Sequence, residues 1–113
     1  MRGPRRHTLL ALLLAAGCAA HQPSAPPMTE VDRDARAIRV LEQELYGTAA
    51  APAAPECARA CELSSRICEL ARRICAIAQR NPEDADARMS CQDAHARCAR
   101  ARTHVLSRCT CAP

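Results

Sequence analysis

Apolar and polar positions divide this chain into three helix-like stretches joined by small-residue and proline-containing connectors. Val31, Ala35, Ile38, Leu41 and Leu45 recur at helical spacing with charged residues between them. Thr29 with Asp32 forms a capping-box variant, and Gly47 is a natural helix stop. An amphipathic helix is therefore expected over 29–46. Residues 47–55 (GTAAAPAAP) read as a linker.

A second helix is expected over 56–80. One row on it is Leu63, Ile67, Leu70, Ile74 and Ile77; Glu62, Arg66, Glu69, Arg72, Arg73 and Arg80 fill the outer face. A third helix is expected from Asn81 as N-cap and Pro82 as first helical residue to about Ser107. Glu83, Asp84 and Asp86 suit the positive end of that helix. Arg97, Arg100, Arg102, His104 and Arg108 suit its negative end. We read these cations as a solvated face; the competing use is a patch for anionic lipid headgroups or polysaccharide.

Cysteines overlay this pattern. Cys61, Cys68 and Cys75 are seven apart on the second stretch, and Cys91 and Cys98 are seven apart on the third. Seven residues are two helical turns, so each set forms one stripe. With Cys61 as heptad position a, Cys57, Ser64, Ala71 and Ala78 fall at d, and Ala87, Ala94 and Ala101 flank the other stripe. Small residues there let backbones approach within disulfide reach, ~4.4–6.8 Å between Cα atoms. Antiparallel partners have position numbers with a constant total. Cys75 with Cys91 and Cys68 with Cys98 both total 166. At the open end two pairings remain. Cys61–Cys109 with Cys57–Cys111 is strictly nested and is preferred, on the view that an unwound tail after Ser107 carries Cys111 outward. The alternative is Cys57–Cys109 with Cys61–Cys111. The fold expected is all-α: an antiparallel helical hairpin over 56–113, stapled by four disulfides, with the 29–46 helix packed on it.

Composition explains why staples are needed. The chain has 113 residues, with one tyrosine and no phenylalanine or tryptophan, so it can bury little large apolar surface. Its formal charge of +4 includes Arg2, Arg5 and Arg6. Without them 13 arginines face 12 acidic residues, and no lysine is present.

Those three arginines open a segment with its own logic. They precede an apolar run from Leu9 to Ala16, far short of the ~20 residues a spanning helix needs. The run ends Leu14-Ala15-Ala16-Gly17-Cys18. This segment resembles the lipobox signal of bacterial lipoproteins. The resemblance implies a signal peptide over 1–17, cleavage before Cys18, and a diacylglycerol and acyl chain on Cys18. Residues 18–28 then form anchor and tether. Removing Cys18 leaves eight cysteines, an even number. Neither Ala19 nor Ala20 is acidic, which under the family's sorting rule implies the outer membrane, facing the periplasm.

The eight cysteines have rival chemistries. Exported, even-numbered sets favour a disulfide framework. As thiolates, Cys57, Cys61, Cys68, Cys75, Cys91, Cys98, Cys109 and Cys111 would suit Cu(I), and cysteines lining a helical bundle resemble the Cys-rich bacterial copper storage proteins. That likeness implies a Cu(I) store or scavenger as the alternative. The hairpin is also similar in architecture to twin Cys-x9-Cys helical hairpins, although the gaps here are six. For thiol redox catalysis there is only Cys109-Thr110-Cys111, and no Cys-x-x-Cys.

His95 and His104 lack a partner four residues away and read as surface histidines. Three glycines, at 3, 17 and 47, leave little material for a phosphate loop. Without aromatic stacking surfaces, nucleic acid is not an expected ligand. The expectation is a non-enzymatic, membrane-anchored structural or interaction module with no cofactor beyond its lipid. Its partner would be an envelope protein or a second copy, with Leu63, Ile67, Leu70, Ile74 and Ile77 as the candidate docking row unless the first helix covers it.

Overall fold

The computed structural model describes Gly3, residues 28–48 and residues 54–113. The expected signal peptide, Cys18, most of the tether and the middle of the 47–55 linker lie outside the described residues. Three α-helices make up the regular structure described: α1 (Glu30–Tyr46), α2 (Cys57–Arg80) and α3 (Ala85–Leu106).

Local chemistry sets each boundary. The Thr29 hydroxyl accepts from the Asp32 backbone N–H at 3.1 Å, and the Asp32 carboxylate accepts from the Thr29 N–H at 3.3 Å. Both halves of the capping box are thus made. At the other end Gly47 has φ 79°, a region L side chains avoid, and there the chain leaves α1. The start of α3 differs from expectation. Asn81 ends α2 rather than beginning α3: its side-chain amide donates to the Ile77 carbonyl at 2.8 Å. The Asp84 N–H then closes a turn on the Asn81 carbonyl at 2.9 Å. Asp84 is the N-cap, accepting from the Ala87 N–H at 3.0 Å. Two good cap residues compete here. The nearer one is consumed by the orphan carbonyls of the preceding helix.

α2 and α3 run antiparallel. α1 lies antiparallel to α2, since Glu44 meets Arg59 and Asp34 meets Arg73. It lies parallel to α3, since Glu42 meets Arg97 and Tyr46 meets His104. The core between them has an uneven composition. α1 contributes Val31, Ile38 and Leu45, seven apart; α2 contributes Leu63, Ile67, Leu70 and Ile74; α3 contributes Ala94, Ala101 and Val105. The small residues of α3 let its backbone approach α2. The large ones of α2 meet α1.

Candidate functional site

Four disulfides join α2 to α3 and its tail. Cys75–Cys91 and Cys68–Cys98 have Cα separations of 4.6 and 4.7 Å. These are the pairs totalling 166, and buried Ala71, Ala78, Ala87, Ala94 and Ala101 accompany them. At the open end the nested pairing is corrected. The bonds are Cys57–Cys109 and Cys61–Cys111, with Cα separations of 5.4 and 5.6 Å; Cys61–Cys109 and Cys57–Cys111 are not formed. The reason is backbone hydrogen bonding beyond Leu106. The Ser107 N–H donates to Thr103 at 3.1 Å and the Cys109 N–H to Val105 at 2.8 Å, both four residues back. The tail is therefore still wound at Cys109, which keeps the helical register and also totals 166 with Cys57. Only past Cys109 does the chain return along α2, bringing Cys111 to Cys61 one turn further in.

The candidate docking row falls under the exception stated for it, because the first helix covers it. Leu63, Ile67 and Ile74 are fully buried, Leu70 is buried, and Ile77 packs against the same core. α1 lies over them. The row is occupied within the chain and offers no free surface while α1 is in place.

The polar groups around that covered row have a consistent sign. α1 supplies carboxylates and the hairpin supplies guanidiniums. Arg59 makes a bidentate contact to Glu44, at 2.6 and 2.9 Å, and also reaches Glu62 at 2.9 Å. These bonds hold the Glu44 carboxyl below its usual range and raise Arg59. Arg97 bonds Asp93 at 2.8 Å on its own helix and also pairs with Glu42. Arg73 lies 3.2 Å from Asp34. Asp34 is 4% exposed, and its Oδ2 has no hydrogen bond. It is the charged member of an otherwise apolar α1 face. Its place between Val31 and Ile38 was the signal available in the sequence, and the apolar count passed over it.

Of the histidines, His95 is exposed. His104 is half-buried against Tyr46, with ring centroids 4.9 Å apart and an edge-on angle of 76°. Reading it as a plain surface residue missed this contact with α1. Burial, with Glu42 adding to it, pushes the Tyr46 phenol up.

The hairpin side away from α1 carries a groove of about 760 Å³, lined by Cys61, Cys68, Ser65, Arg72, Arg102 and Leu106 among others. Its walls hold three disulfide cysteines (Cys61, Cys68 and Cys111), hydroxyls, the Glu62 carboxylate and two guanidiniums. All eight hairpin cysteines are bridged, and a bridged sulfur has no thiolate to give a metal. The Cu(I) alternative requires the same residues in reduced form. Among the described residues, no helix is long and apolar enough to cross a membrane.

No protein-family model, curated protein or solved structure matches the chain.

Proposed function

We propose that the protein is an exported lipoprotein, anchored by a lipid on Cys18, whose helical domain serves as a non-enzymatic interaction module at the periplasmic face of the outer membrane. One observation carries the reading: a charged, apolar, small-residue run ends at a cysteine, and the cysteines left after it number eight. Four disulfides among those eight suit an oxidising compartment. A chain with so little large apolar surface gains from such staples. Closing a loop of about 15 residues is worth roughly 3 kcal/mol in the chain-entropy model.

Two measurements test it. Metabolic labelling with a lipid precursor should mark the wild type and leave Cys18→Ser unmarked; labelling that persists in the variant removes the anchor. Mass spectrometry of protein taken from its native envelope without reductant, alkylated before and after reduction, should find eight protected cysteines. Eight free thiols, or copper retained in the native spectrum, would replace the module with the Cu(I) store.

A further inference from the structure

The hairpin and α1 are held by different means. Among the described residues every disulfide lies within 57–111, so α2 and α3 stay joined whatever α1 does. None of these bridges reaches α1, and the chain through residues 47–56 is its covalent connection. Its buried contribution is Val31, Ile38, Leu45 and the incompletely satisfied Asp34. The three ion pairs around it differ in shelter: Arg59 and Glu44 are 42% and 45% exposed in their side chains, Arg73 is 58% exposed against a buried Asp34, and Arg97 and Glu42 are only 26% and 13% exposed. The open Arg59–Glu44 pair contributes little and is screened by salt. α1 is the helix held by packing and ion pairs alone in a covalently framed domain.

α1 also describes what its seat accepts. Apolar side chains at one position and seven and fourteen residues on (Val31, Ile38, Leu45) meet Leu63, Ile67, Leu70 and Ile74. Carboxylates three, eleven and thirteen residues after the first (Asp34, Glu42, Glu44) meet Arg73, Arg97 and Arg59. The row is apolar and its rim presents three guanidiniums to α1, two of which are also paired within the hairpin to Glu62 and Asp93; this is the arrangement of a helix-in-groove site.

We infer that the face of the hairpin beneath α1 is a docking site for an acidic amphipathic helix of a partner protein, and that α1 is its resident, displaceable occupant. This deepens the interaction-module reading and rests on it. The partner must outcompete a helix tethered by a short linker, whose effective concentration is of millimolar order. Binding in trans is therefore weak while α1 is seated and strong once α1 is released.

The test uses the full oxidised chain and a fluorescent synthetic peptide of residues 28–48 as probe. Ile38→Glu removes the central anchor of α1 and leaves the disulfides untouched. Hydrogen exchange should show α1 amides opened and α2 and α3 amides still protected. The peptide should then bind this variant at least tenfold more tightly than wild type. A substituted peptide carrying Asp34→Asn, Glu42→Gln and Glu44→Gln, whose side-chain charge goes from −2 to +1, should bind about tenfold more weakly than the native one. As a second variant, Arg97→Gln in the otherwise unchanged chain should speed α1 exchange and spare the hairpin. Collapse of hairpin protection in Ile38→Glu would show that α1 is integral and overturn displaceability. An open α1 with no peptide bound would overturn the docking site, and equal binding of the substituted peptide would overturn its preference for acidic helices. These outcomes are separate from the broader reading. Free thiols in the native protein defeat the module whatever the peptide does; peptide failure with disulfides intact defeats only the docking site.

Discussion

α1 and the α2–α3 hairpin are both amphipathic helical material of similar composition, yet they are secured in opposite ways. The hairpin interface is built on alanine and cysteine. It has few large side chains and depends on four covalent crosslinks. The α1 interface is built on isoleucine, leucine and valine, with carboxylate–guanidinium pairs at its edge and no crosslink. The difference follows from side-chain volume. Two helices close enough for disulfides, under 6 Å between paired Cα atoms here, leave no room for leucine. Helices separated by leucine are too far apart for disulfides. One domain uses both solutions on two faces of α2.

That contrast is sharpest under reduction. Full reduction of the disulfides should unfold the hairpin and take α1 with it; removing a native disulfide from a small domain typically costs about 2–5 kcal/mol. Circular dichroism against temperature, with and without a dithiol reductant, measures this. Retained helicity and an unchanged midpoint under reduction would end the claim that staples replace core. Next is Ile74→Ala, at a fully buried site facing α1. It should cost about 2–5 kcal/mol, with α1 amides losing exchange protection before those of the hairpin. Simultaneous loss would erase the distinction between the two interfaces.

A smaller effect of opposite sign is expected from Asp34→Leu. The buried carboxylate's Oδ2 has the ion pair to Arg73 at 3.2 Å but no hydrogen bond, and that arginine is 58% exposed, so leucine relieves the carboxylate's desolvation and leaves the guanidinium in water. Urea denaturation should show a higher midpoint, and a clear fall would mean that Arg73 gives Asp34 more than the geometry suggests. The smallest effect is acid sensitivity. Glu44 has a lowered folded pKa because of its hydrogen bonds to Arg59. Its contribution is thus complete above its ordinary pKa of 4.5 and is lost as pH falls through the lower folded value. Asp32, lowered by the Thr29 hydroxyl, acts in the same direction. α1 should therefore loosen on the acid side before the hairpin does, and Glu44→Gln should reduce that acid dependence in exchange measurements.

Much of this arrangement could be read before the structure. Heptad spacing determined which cysteines meet in the inner ladder, because a helical stripe leaves one antiparallel register. The cap at Thr29 was equally readable, being a local motif with both partners within four residues. Readability failed where two local options competed. Asn81 and Asp84 are both good N-caps, and the choice depended on the unpaired carbonyls of α2. The outer bridges turned on whether the last residues of α3 unwind, which hydrogen bonds at Ser107 and Cys109 decide. The acid–arginine pairing of α1 with the hairpin was not readable, since Asp34, Glu42 and Glu44 meet Arg73, Arg97 and Arg59 only through the register of a third helix.

The crosslinks also determine how the molecule behaves under tension. A pull applied at residue 28 and at the hairpin first strips α1 from its seat and then straightens it. Residues 28–56, drawn out at ~3.3–3.6 Å each, span at most roughly 100 Å. Beyond that, little chain can be drawn out while the sulfurs hold, because Cys57 at the near end of α2 is bonded to Cys109, and Cys61 to Cys111. The domain is mechanically a short compliant leader followed by a nearly inextensible knot.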